Sequence, residues 1–222
     1  PNDNDLVSCR PGPRFAARAD LSGVVLILQR FPLVRGLLLW VVVLVFSALA
    51  GPAAAQRLDL PPAPFKVLPE GTRMVWENMD TGKRVNGLVG RNNGLIVSWI
   101  WENRSFASFA HICMDCVAAG LPPDGGVLGQ LFPLEIGKAV TFTRRWAGEA
   151  WRDRIEVLGT EQVTVPAGTF DTYIVLRQSE LVGRDWQAEQ RIWYAPELGW
   201  IVKFEGYNTA GAGERWQAIK FD

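Results

Sequence analysis

The run EQVTVPAGTFDTYIVLRQSE, Glu161 to Glu180, decides the fold class of this 222-residue chain. EQVTVP and DTYIVLRQSE are short stretches rich in β-branched and aromatic residues, the types that suit a pleated, half-buried surface. Between them Pro166 ends a strand because it has no N–H to give to a ladder. Gly168 then supplies the turn, and Phe170 returns the chain to the core. Tyr194-Ala195-Pro196-Glu197-Leu198-Gly199 repeats the device, with Pro196 and Gly199 marking the second corner.

The pattern continues on both sides. Upstream lie RMVWEN (73–78), RVNGLVG (84–90), LIVSWIWEN (95–103), SFASFAHI (105–112), AVTFTRRW (139–146) and WRDRIEVLG (151–159). Downstream lie DWQAEQRIWYA (185–195), GWIVKFEGY (199–207) and ERWQAIKFD (214–222). Asn92-Asn93-Gly94 reads as a hairpin turn, since Asn and Gly tolerate positive φ. In GWIVKFEGY, Trp200, Val202 and Phe204 share one side and Ile201, Lys203 and Glu205 the other, as in a strand with one wet face. No long 3.6-residue period is present, so helix is confined to short turns within 115–135. The expectation is an all-β protein: a single curved antiparallel meander of roughly ten strands, forming a barrel, half-barrel or sandwich.

The first quarter of the chain reads differently. Arg30 and Arg35 precede the apolar run GLLLWVVVLVFSALA, and Gly51-Pro52-Ala53-Ala54-Ala55-Gln56 follows. A basic start, a short apolar centre and an A-x-A ending describe a cleavable secretory signal peptide. The run is also shorter than the ~20 residues a permanent span needs. The division expected is a leader or over-extended start (1–29), signal peptide (30–55), Pro-rich lead (56–66) and one β domain (67–222). The product would be periplasmic or secreted. Residues 56–222 carry 18 basic and 20 acidic side chains. That balance offers no concentrated basic surface for nucleic acid or for anionic lipid.

A stretch of the second half resembles a known group. The pattern V-x-V-P-A-G-T-F, a strand, then W-Y-A-P-x-L-G-x-x-V-K, with LFPLEIGK (131–138) upstream, is similar to the TapB-like group of bacterial envelope proteins, over roughly 130–206. The resemblance implies a secreted, β-rich protein and carries over no catalytic residue.

The sequence offers little chemistry. HICMDC (111–116) holds the only histidine. Haem attachment of the c type needs His directly after the second Cys, where Val117 stands. A structural zinc site wants four well-placed ligands, mostly N and S; beside His111, Cys113 and Cys116 only Asp115 is at hand, a cramped fourth, so no metal is expected. A redox pair belongs at a helix start in a βαβ setting. What remains is a structural disulfide, which requires 113–116 to turn, because residues three apart in a strand stand roughly 10 Å apart and a bridge needs Cα atoms within about 7 Å. His111 then reads as an ordinary strand residue. No Ser-His-acid set, P-loop or G-x-G-x-x-G is present, and no cofactor is implied.

Nine of the ten tryptophans lie beyond residue 55. They either fill a curved core, line a concave cup for a lipid-like or other apolar ligand, or form an exposed platform for a sugar or protein. Trp99, Trp101, Trp193, Trp200 and Trp216 are the lining candidates. The function expected is a non-catalytic envelope protein binding an apolar or amphipathic ligand. The alternatives are a structural or assembly partner in the envelope, or a thiol–disulfide redox protein using Cys113 and Cys116.

Overall fold

In a computed structural model, ten antiparallel strands form one sheet. The structure describes residues 58–113, 116, 117, 120 and 126–222; the expected leader and signal peptide lie outside them. The strands are β1 (Arg73–Asn78), β2 (Arg84–Val89), β3 (Ile96–Trp101), β4 (Arg104–Phe109), β5 (Ala139–Trp146), β6 (Glu149–Val165), β7 (Gly168–Leu181), β8 (Gln187–Ala195), β9 (Trp200–Asn208) and β10 (Gly213–Phe221). A 3₁₀ helix, Gly126–Leu131, is the named helical element among the described residues.

The order across the sheet is β4-β3-β2-β1-β10-β9-β8-β7-β6-β5. Neighbours in sequence are therefore neighbours in the sheet, except that β1 pairs with β10 and that β4 and β5 stand at opposite edges. Because β4 and β5 remain the two edges, the sheet is not closed into a barrel. It is strongly bent all the same. Trp101 on β3 and Trp216 on β10 are three strand steps apart, about 14 Å across a flat sheet, yet their rings lie 5.3 Å apart.

Two local readings change. WRDRIEVLG and EQVTVP are one 17-residue strand, β6, not two. Gly159 marks a register shift after Val157, a bulge that bends the ladder without ending it. SFASFAHI stops early: β4 ends at Phe109, and Ala110 and His111 take left-handed backbone with φ of 47° and 63°. His is among the residues that tolerate that region best. Val165 pairs with Gly168 across Pro166 and Ala167, and Gly199 N–H donates to Ala195 O at 2.9 Å.

The core has two parts. One lies under β5–β9, where Ile155, Val157, Tyr173, Val175, Ile192 and Tyr194 meet Leu128, Leu131 and Leu134. The Pro-rich lead runs over the same region. Tyr173 OH donates to Leu60 O (3.1 Å) and Pro61 O (2.7 Å), and Ala63 bridges Leu134 through bonds of 3.0 and 2.7 Å. The second part gathers Met74, Trp76, Val85, Trp99, Trp200 and Val202. It extends to Val163, Val165 and Trp193, beside a β6–β7 corner whose Ala167 N–H donates to Ala218 O of β10.

Candidate functional site

The alternation of β1, β2, β3 and β10 sends Trp76, Val85, Trp101 and Trp216 to one face. The pairings Trp76 with Val85, Gly87 with Trp101 and Asn78 with Trp216 fix this. The bend of the sheet wraps that face around a cavity of about 770 Å³. Five tryptophans line it: Trp76, Trp99, Trp101, Trp200 and Trp216. Their rings prop one another edge to face, Trp101 on Trp216 and Trp99 on Trp200 at 6.4 Å, while Phe106 stacks on Trp99 at 6.0 Å. Edge-to-face contacts of this kind suit the ring quadrupoles and fix the side chains before any ligand arrives.

The wall has two polar ends. Around the turns joining β1 to β2 and β3 to β4, Lys83 pairs with Glu102 at 3.4 Å. Nearby, Trp216 Nε1–H donates to Glu214 Oε2 at 3.1 Å. Both pairs are exposed and contribute little to stability. Across the cavity, Arg177 of β7 reaches Gln190 Oε1 at 3.3 Å and belongs to a buried ion network. Asp153, wholly shielded from solvent, accepts from Arg177 Nη2 at 2.8 Å, Arg144 Nε at 2.6 Å and Ser179 Oγ at 2.5 Å. Burial alone would raise the Asp153 pKa, but Arg177, Ser179 and Arg144 outweigh it and hold the carboxyl below its usual range.

His111 forms part of the inner wall with Ile112, Ile201 and Trp200. Its ring sits 3.9 Å from that of Trp200, and only 6 % of the residue is exposed. Burial pushes its pKa down to about 3, so the imidazole is neutral at any ordinary pH. Its Nε2 is cut off from solvent and has no hydrogen-bond partner. An unsatisfied buried group of this kind costs about 1–3 kcal/mol, so its position calls for an explanation.

Cys113 and Cys116 form a disulfide with Cα atoms 5.3 Å apart, the tight turn their spacing requires. Phe109 N–H donates to Cys113 O and Cys113 N–H back to Phe109 O, at 2.8 and 3.2 Å. Both half-cystines are buried. Among the described residues no group of three His, Cys, Asp or Glu is placed to hold a metal. Nor is any helix there long and apolar enough to cross a membrane.

Of the five tryptophans singled out from sequence, Trp99, Trp101, Trp200 and Trp216 line the cavity and Trp193 does not. Trp193 is 4 % exposed; its Nε1–H donates to Glu161 Oε1, and the Lys203 ammonium stands 4.3 Å over its ring. Pairing with Ile174 and Lys203 puts it on the opposite face. Trp76 takes the fifth place. The period of RMVWEN puts Trp76 on the Met74 side, a signal in the sequence for a place on the wall. Arg177 carried a signal too, since it continues the alternation of Tyr173 and Val175. His111 carried none, because its reading depended on where β4 ends.

The DUF3108-like family matches residues 150–213, from β6 to the start of β10 and less than a third of the chain. That match overlaps the stretch similar to the TapB-like group, and it is to the DUF3108-like model rather than to that group. No curated protein matches. Among solved structures, the hypothetical lipoprotein YmcC of Escherichia coli is 11% identical with a TM-score of 0.42, covering 73% of this chain and 90% of its own. An exported-protein candidate with a YmcC-like fold from Bacteroides fragilis is 17% identical, TM-score 0.41, covering 72% and 99%. A lipoprotein candidate from Parabacteroides distasonis is 14% identical, TM-score 0.41, covering 73% and 100%.

Proposed function

We propose that this chain is a non-catalytic protein of the bacterial envelope that holds an apolar or amphipathic small molecule in the concave face of its sheet. The observation that carries the reading is the cavity of about 770 Å³ walled by five tryptophans. That volume lies within the range of small-molecule sites, which are mostly apolar with a few placed polar groups. Burying a hydrocarbon chain against such a wall contributes about 25 cal/mol per Å² of apolar area. The polar ends, Lys83 and Glu102 on one side and Gln190 with Arg177 on the other, offer hydrogen bonds to a headgroup.

The signal-like segment at 30–55 and the Cys113–Cys116 bridge support export to an oxidising compartment. The non-catalytic part rests on the same inventory. The single imidazole is buried and neutral, so it cannot shuttle protons near neutral pH. The experiment is gentle purification followed by organic extraction and mass spectrometry, with displacement of the fluorescent probe N-phenyl-naphthylamine by hydrocarbon chains. A co-purifying apolar species and saturable displacement are expected. No bound species and no displacement would overturn the proposal.

A further inference from the structure

We infer that Gly87 and Met74 together set how long an apolar chain the tryptophan cavity accepts, with Met74 lying across the bare backbone of Gly87 as a movable floor. The inference rests on the reading of the cavity as a ligand site and names the residues that measure its occupant.

β2 turns Val85, Gly87 and Val89 to the same face. The two valines are buried, while Gly87 between them is half-buried and lines the cavity. A glycine inside a strand weakens it, and it often marks a bulge, a tight bend or a close approach by another group. There is no bulge here, because Gly87 faces Met74 and Trp101 in unbroken register on both ladders. Nor does a turn require it, since its φ is not among the left-handed ones. Close approach remains. A Cβ at Gly87 would stand 2.9 Å from both Cγ and Cε of Met74, inside the ~3.5–4.0 Å at which carbon atoms pack. Met74 occupies the room that the missing side chain leaves.

Of the two cross-strand neighbours of Gly87, Met74 is the one that can give. The Trp101 ring is held by its edge-to-face contact with Trp216 at 5.3 Å. Met74 is unbranched, with three rotatable bonds and a soft thioether that adapts to irregular space. It is 3 % exposed and forms part of the same cavity lining. A side chain at position 87 displaces it, and the open space beside it is the cavity. The empty position on β2 therefore keeps length available to the ligand, and Met74 decides how much of it is used.

The test measures displacement of N-phenyl-naphthylamine by octanol, decanol and dodecanol. In Gly87→Ala, dodecanol should lose roughly tenfold relative to octanol, the burial of about two methylenes. Met74→Ala should shift the preference towards the longer chain. Combining Gly87→Ala with Met74→Ala should restore dodecanol binding, the non-additivity expected of residues in contact. Met74 is one of three methionines, so its methyl signal in isotope-labelled protein is identified by its loss in Met74→Leu, a volume-conserving change. In wild-type protein that signal should move further with dodecanol than with octanol. A length preference unchanged in Gly87→Ala, or affinity lowered equally for every alcohol, overturns this inference and leaves the cavity reading standing. Failure of all three alcohols to displace the fluorophore overturns both. Where a variant does not fold, the wild-type methyl signal decides, and no movement with dodecanol overturns the inference.

Discussion

The two halves of the concave face are built from the same kind of strand and end differently. Under β5–β9 the chain covers its own sheet. The 3₁₀ helix and the segment to Leu134 press Leu128, Leu131 and Leu134 onto Ile155, Val157 and Tyr173. The Pro-rich lead adds carbonyls that Thr160, Tyr173 and Tyr194 bind through their hydroxyls. Around β1–β3 and β10 the wall carries larger aromatics and a cavity remains. The difference teaches that apolar patterning alone does not separate core from site. What separates them is whether another piece of chain lies on top, and Pro-rich stretches serve well as covers because their carbonyls remain free to accept.

The largest expected effect is in the covered half. Asp153→Asn removes the charge that faces Arg144 and Arg177, and unfolding by urea should show a loss of about 3–5 kcal/mol. A loss under about 1 kcal/mol would mean this half is not organised around the network. The network also sets a pH dependence. Because the folded pKa of Asp153 lies below the unfolded value near 3.9, its contribution is fully present above that pH. It is lost as pH falls through the folded pKa. Wild-type protein should therefore lose more stability on acidification below about pH 4 than Asp153→Asn does, as urea midpoints taken across pH would show.

Next comes Leu134→Ala, which opens a void beneath the cover at a fully buried position. Thermal unfolding should report about 2–4 kcal/mol, with N-phenyl-naphthylamine binding in the other half unchanged. Altered probe binding would show that the halves are coupled. Reducing the Cys113–Cys116 bridge should cost about 2 kcal/mol, the chain-entropy value for so small a loop. Smallest in stability is Trp101→Ala, at about 1 kcal/mol, since its ring already faces open space. Calorimetry and probe titration together should then show binding weakened roughly tenfold. A large unfolding cost with intact binding would make the open half a second core and erase the contrast.

The sheet was legible in the sequence because period-two alternation and Gly or Pro corners are local signals, as at Val165 to Phe170 and around Trp200. The open edges were not, since whether β4 meets β5 depends on how far ten strands bend, a sum of small local twists. Trp193 shows the same limit at the scale of one residue. Alternation said it would be buried, but which face it joined depended on the register shift between Trp193 and Tyr194 and on the β6–β7 corner reaching β10. The ion network was present in the letters as Arg144, Asp153 and Arg177. Its members lie on three strands and become a cluster only through the register that pairs β5 with β6 and β6 with β7.

The placement of β1 beside β10 has a temporal consequence. A polypeptide emerging from a ribosome or a translocation channel presents Asn78 long before Gly213 appears, so the four-stranded hairpin array must wait with its inner margin bare. During that wait its tryptophans and an unsatisfied row of peptide groups stand ready to pair with any neighbouring chain. Assembly of the sheet must therefore wait for β10, in one late stitching step, and a holdase that shields nascent indoles would raise the yield of native protein.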